Sequence, residues 1–227
     1  MKLSNKILIG LFGTVFIYLT AAFTEIRFRG EPHIIDDSNS LVEAIEISEL
    51  GYLILPDLDQ RIIVLGSGNP RIEVRSHSGD LLKNLKYKVS GDTLEILSLV
   101  KEEKQRISIS IHVPNQKLRG ITSNGANIIV ENLHQDTLSI TQSSGWIQIQ
   151  KKSILSNLNI NVINDGNFNL SDSELNTLSA TIDNSEVIIM PAVDRLEGTM
   201  TNESYLLVNV IEDLQFKKDK SSRLVMN

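Results

Sequence analysis

"LSNLNINVINDGNFNL" (155–170) sets an aliphatic residue three places before a leucine, alternates apolar and polar residues behind it, breaks at a polar turn and alternates again. The same grammar returns in "LNTLSATIDNSEVII" (175–189) and "VDRLEGTMTNESYLL" (193–207). Leu118, Leu138, Leu158 and Leu178 stand 20 residues apart, and Leu196 and Leu214 follow at steps of 18. A short fixed period marks a repeat architecture, because one unit cannot bury its apolar face alone and must stack on its neighbours.

Within each repeat the leucine opens a strand whose alternate side chains share one face: Leu138-Ile140, Leu158-Ile160-Val162 and Leu178-Ala180-Ile182. The turn comes next, with Asn124, Asn164, Asn184 and Asn202 in register and Ser144 in the same slot. Asn tolerates the left-handed backbone of tight turns, so these amides read as turn formers and not as a ligand site. A second strand follows, with Ile128-Val130, Ile147-Ile149, Phe168-Leu170, Val187-Ile189 and Tyr205-Leu207 as its core positions. Leu155, Leu175, Val193 and Ile211 mark a third corner, and Leu133 departs from its spacing. Stacked at about 4.8 Å per turn, such units hydrogen-bond strand to equivalent strand and bury a continuous aliphatic column. The expected fold is all-β, a parallel β-solenoid with about six regular coils over 118–227.

Residues 41–117 read as a β-rich N-terminal part of the solenoid, with strands at "YLIL" (52–55), "RIIVLG" (61–66), "RIEVRS" (71–76), "LKYKVSGDTLEILSL" (85–99) and "RISISIHVPN" (106–115). "SGD" (90–92) is the turn of a hairpin, and "GSGNP" (66–70), which lacks the lysine and helix of a phosphate loop, reads as another. Before them, "ILIGLFGTVFIYLTAAF" (7–23) carries no charge and follows Lys2 and Lys6. Residues 1–23 are therefore a signal peptide or a transmembrane helix, with the bulk of the chain outside the cytoplasm. Thr20-Ala21-Ala22 offers a cleavage site, but the apolar length and the following Arg27 and Arg29 favour a retained anchor. Residues 24–40 are polar and aperiodic, a linker.

The strand ending "ISISIHVPN", then "LRGITSNGANIIVENL" and the leucine-led rungs, resemble the head GIN domain family, found in exported adhesin-like proteins of Bacteroidetes-type bacteria. The resemblance spans roughly 42–227. The family's Ser-Gly-Ala-Gly-like turn survives best in "SNGAN" (123–127), weakly in "SSGW" (143–146) and "NDGN" (164–167), and is absent from "DNSE" and "TNES". The resemblance implies a right-handed parallel β-helix at the cell envelope, with adhesion as the associated role.

Composition narrows the chemistry. The formal charge is −6, and it becomes more negative once Lys2 and Lys6 are set aside, which argues against nucleic acid as a partner. With no cysteine there is no disulfide, thiolate metal site or thiol nucleophile. His33, His77, His112 and His134 show no metal-ligand spacing, and no cofactor motif is present. Glycan-cleaving solenoids need paired carboxylates, and Asp165, Asp172, Asp183 and Glu186 are the nearest candidates; they read as solvated turn residues.

The leading expectation is a non-enzymatic envelope protein whose lateral surface binds or adheres, with a polysaccharide or another envelope protein as partner. The alternatives are an assembly scaffold and a glycan-active enzyme. One specific binding site is legible. Trp146 is the sole tryptophan, and the alternation that sends Ile147 and Ile149 inward sends Trp146 and Gln148 outward. By register Asn127 and Asn167 flank Trp146, and Asn169 lies beside Gln148. An indole face among amides suits sugar stacking. The competing expectation is that the ring packs under a neighbouring loop or closes a dimer contact.

Overall fold

A computed structural model describes residues 41–58, 60–76, 82–100 and 107–226, with Phe12, Gly13, Val15, Phe16, Tyr18 and Thr20 from the N-terminal stretch. Those six residues are helical. Among the described residues no helix is long and apolar enough to cross a membrane. The rest of 1–23, the linker 24–40 with Arg27, Arg29 and His33, and also His77, lie outside the described residues.

Residues 40–227 form one compact unit, whose described residues contain 17 strands. In the N-terminal part these are β1 (Leu41–Glu46), β2 (Tyr52–Pro56), β3 (Arg61–Gly66), β4 (Arg71–Ser76), β5 (Leu85–Ser90), β6 (Thr93–Leu99) and β7 (Ile107–Val113). The regular turns contain β8 (Gly120–Asn124), β9 (Asn127–Glu131), β10 (His134–Ser143), β11 (Trp146–Gln150), β12 (Ser153–Ile163) and β13 (Asn167–Leu170). They end with β14 (Ser173–Asp183), β15 (Glu186–Thr201), β16 (Tyr205–Lys218) and β17 (Arg223–Met226).

The period works as expected. Leu138 pairs with Leu158, Leu158 with Leu178, Leu178 with Leu196 and Leu196 with Leu214, all in parallel strands. This ladder belongs to a first long side, built from β6, β2, β8 and the C-terminal halves of β10, β12, β14, β15 and β16. A second long side stacks β7, β3, β9, β11, β13, the N-terminal parts of β15 and β16, and β17. A shorter third side joins them. Ile160, Val162, Ile147, Ile149, Phe168 and Leu170 are all buried in the column between the sides. Ser144, Asn164, Asn184 and Asn202 have φ of 59°, 57°, 45° and 57°, the left-handed corner expected of them. At the first corner Gly125, with φ 86°, takes that conformation in place of Asn124.

Four expectations need correction. The regular part makes about five turns, not six: over 214–226 the described residues add one rung to each long side, and Leu214 is 42% exposed. At the third corner the partner of Leu155 is buried Gln135 in place of Leu133, and the partner of Val193 is Val210 in place of Ile211. Tyr205 and Leu207 do not face the core. Leu206 and Val208 are fully buried there, and Tyr205 and Leu207 pair with the outward Glu186 and Ile188. The reason is a turn one residue longer: three residues separate Asn202 from inward Leu206, but two separate Asn184 from inward Val187. A one-residue slip moves a strand's whole side-chain set to the other face.

The fourth correction concerns the threading. "GSGNP" does not close a hairpin, because β7 lies between β3 and β4, parallel to the first and antiparallel to the second. The 85–99 hairpin is present, β5 on β6. Strand β2 lies between β6 and β8, and β3 between β7 and β9. The turn made by β6 and β7 therefore sits below the turn made by β2 and β3, although it follows it in sequence. Antiparallel β5, β4 and β1 finish that end of the stack, a pairing that ends the parallel ladder.

Candidate ligand-binding face

The outward side chains of the second long side form two ladders. At the first strand position run Arg61, Asn127, Trp146, Asn167, Glu186, Tyr205 and Arg223, each paired in register with the next. Two residues along run Ile63, Ile129, Gln148, Asn169, Ile188, Leu207 and Val225. The register expected for Trp146, Asn127, Asn167, Gln148 and Asn169 is the one observed. Trp146 is half-buried, and the Arg61 guanidinium lies 5.8 Å from its ring centroid. The ring is thus partly covered by β3 of the N-terminal part, between the exposed and the packed readings.

Around the indole the amides are engaged on one side only. Asn167 Nδ2 donates to Glu186 Oε2 at 3.2 Å, and Gln148 Nε2 to Ser171 Oγ at 3.4 Å. Asn169 Oδ1 is enclosed and has no hydrogen-bond partner among the described residues. Behind the ladder runs a column of small residues, Ala126, Gly145, Gly166, Ser185, Ser204 and Ser222, one before each member from Asn127 to Arg223. Gly145 shows why: with φ 73°, a Cβ there would lie 2.6 Å from the Ala126 carbonyl oxygen. Ser185 Oγ accepts the Gly166 N–H at 3.1 Å, and Ser204 Oγ the Ser185 N–H at 3.3 Å, so the corner's own donors are satisfied between turns.

Sequence reasoning missed Tyr205, because the turn-length change hid its outward register. The Arg223 guanidinium lies 6.0 Å from the Tyr205 centroid. Beside Tyr205 opens a groove of about 340 Å³ lined by Asp165, Asn167, Asn184, Glu186 and Glu203 among others. Asp165 accepts from Asn184 Nδ2 at 2.9 Å, and Asp183 from Thr201 Oγ1 at 2.8 Å and from Asn202 Nδ2. The groove thus holds Asp165 and Glu186 of the four candidate carboxylates, tied into hydrogen bonds along the stack.

Two other clusters stand apart. His112 is buried, its Nδ1 2.8 Å from Ser67 Oγ and its Nε2 3.2 Å from Glu73 Oε2, while Arg71 Nε donates to Glu73 Oε1 at 2.7 Å. Burial pushes the Glu73 carboxyl up, but the Arg71 hydrogen bond and the adjacent His112 outweigh it and hold it below its usual value. This chain pins the 66–70 crossover to β7 and β4. The second is a cleft of about 450 Å³ lined by Glu49, Asp92, Lys117 and Arg119 among others. There Arg119 pairs with Asp92 and lies 4.6 Å from the Tyr52 ring centroid, balancing cations against anions.

No protein-family model matches the chain, and no curated protein matches it in sequence. Solved structures of the same fold do exist. A "putative adhesin" from Parabacteroides distasonis is 15% identical, with a TM-score of 0.59 over 83% of this chain and 94% of its own. Another "putative adhesin", from Bacteroides fragilis, is 12% identical, with a TM-score of 0.60 over 83% and 97%. A "putative lipid binding protein" from Parabacteroides distasonis is 13% identical, with a TM-score of 0.57 over 83% and 97%. At these identities the likeness establishes a shared all-β solenoid fold, on which differently named proteins are built.

Proposed function

We propose that this chain is a non-enzymatic cell-envelope protein of the head GIN type, held at the membrane by residues 1–23 and facing the periplasm or cell exterior. Its second long side is the binding surface. The observation that carries this reading is the outward ladder in which Trp146 stands between Asn127 and Asn167, beside Gln148 and Asn169. An aromatic face among amides is a surface suited to recognition, and the column itself is filled by the inward residues. The adhesin names of solved structures with this fold, from two Bacteroidetes genera, agree with it.

The test is binding of the full-length chain to isolated bacterial envelope. Trp146→Ala should abolish it, and Asn159→Ala, on the outward face of the first side, should leave it intact. Equal binding by both variants and the parent would overturn the assignment of the surface.

A further inference from the structure

The ladder repeats a pair of features that one aromatic would not explain. Trp146 and Tyr205 stand on the same outward column, separated by Asn167 and Glu186, so their rungs lie three strand spacings or about 14 Å apart. Each ring has a guanidinium against it, Arg61 at 5.8 Å and Arg223 at 6.0 Å. These arginines are also the two ends of the ladder. Between the rings, among the described residues, one side-chain bond, from Asn167 Nδ2 to Glu186 Oε2, joins the ladder's polar groups, which leaves donors and lone pairs for a ligand.

Resting on the binding reading above, we infer that the second side holds a linear glycan laid along the stacking axis, bridging Trp146 and Tyr205. The pyranose units of an extended glycan advance by nearly the strand spacing. A chain parallel to the axis therefore meets one rung per sugar, and sugars three apart stack on the two rings. A repeating polymer can present the same hydroxyls at every rung, which an irregular protein surface cannot. The charge selects among glycans. The groove beside Tyr205 is lined by Asp165, Glu186 and Glu203, with no lysine or arginine in its lining among the described residues, and the cations Arg61 and Arg223 lie against the two rings at the ends of the ladder, outside that groove. Carboxylates repel a polyuronate and accept hydrogen bonds from hydroxyls or amines, so the ligand is neutral or amino-bearing.

The experiment follows the fluorescence of the sole tryptophan in the full-length chain. The probes are N-acetylglucosamine oligomers, glucosamine oligomers and oligogalacturonates, each from monomer to hexamer. Affinity for the first two series should rise about tenfold between trimer and tetramer, the first length to span both rings. Tyr205→Ala should remove that step while short oligomers still perturb Trp146, and Tyr205→Phe should keep it. Oligogalacturonates should bind about tenfold more weakly than glucosamine oligomers or worse. A response without the length step, or a step that survives Tyr205→Ala, overturns the bridge and leaves binding at Trp146 standing. Oligogalacturonates binding as well as the others overturn the charge selection. Silence with every oligomer, while envelope binding still depends on Trp146, overturns the glycan and not the surface. Loss of both removes the surface reading as well.

Discussion

The two long sides enclose one aliphatic column yet turn different chemistry outward. On the first side the regular turns present Ser139, Asn159, Ser179 and Glu197 in one ladder and Thr122, Thr141, Asn161, Thr181 and Thr199 in the next. On the second they present half-buried Trp146 and Tyr205 in one and half-buried Ile188 and Leu207 in the next, with Ile129 of that ladder buried. β-branched hydroxyls and short amides are what a solvated strand needs to keep its pleat and stay soluble. Half-buried aromatics and aliphatics on an outward face exceed that need. The difference teaches that the inward pattern specifies the fold and the outward pattern specifies the side on which function is to be sought.

The largest effect should come from confusing inward with outward on the side that has no other role. Ile160→Asp places a carboxylate in the column and should cost several kcal/mol, enough to unfold a marginally stable domain. Its outward neighbour Asn161→Asp should change stability by less than about 0.5 kcal/mol. Chemical denaturation of the two variants checks this; similar midpoints would erase the distinction on which the comparison rests.

Binding separates the two sides next. By calorimetry, Trp146→Ala should abolish sugar binding and Tyr205→Ala should weaken it about tenfold for tetramers and longer, with little change in melting temperature, while Thr141→Ala and Asn159→Ala leave it unchanged. Loss of binding from first-side variants would show that both flanks carry function. The corner between the sides should matter less. Asn184 has φ 45° and its Nδ2 donates to Asp165 at 2.9 Å. Asn184→Ala should cost about 1 kcal/mol and Asn184→Gly a few tenths, measured by thermal unfolding.

The smallest effect belongs to the last described rung and disappears in strong acid. Asp219 accepts from Ser222, the Asn202 N–H and Ser221, and these bonds hold its carboxyl far below the usual range. A depressed folded pKa adds stability that is complete above the unfolded value near about 4 and fades as pH falls below it. Asp219→Asn should therefore differ from the parent in melting temperature at neutral pH and converge on it in strong acid. A constant difference at every pH would assign the effect to something other than ionisation. Lys218 donates to the Asp219 and Ser222 carbonyls at 3.3 and 3.1 Å from the rung position above buried Met200. Lys218, which shares this stretch with the cations Lys217, Lys220 and Arg223, thus satisfies two carbonyl acceptors of the last described rung.

By itself the sequence determined the stack. Alternation and a fixed period are local properties, so they name most of the inward residues, the leucine ladder, the left-handed Asn164, Asn184 and Asn202 and the company of Trp146. The hairpin over 85–99 was legible for the same reason, with its turn residues adjacent to both strands. Tertiary structure decided what depends on pairing between segments that share no period. Nothing in "RIIVLG" says that β7 will lie against it, or that the β6–β7 turn will sit beneath the β2–β3 turn. Those placements bring Arg61 onto the ladder of Trp146 and bury His112 between Ser67 and Glu73. Tyr205 lies between the two cases. Its alternation was visible, but its phase turns on one residue: three residues separate Asn202 from Leu206, as they separate Asn164 from Phe168, while two separate Asn184 from Val187, and that count reverses which face the strand shows.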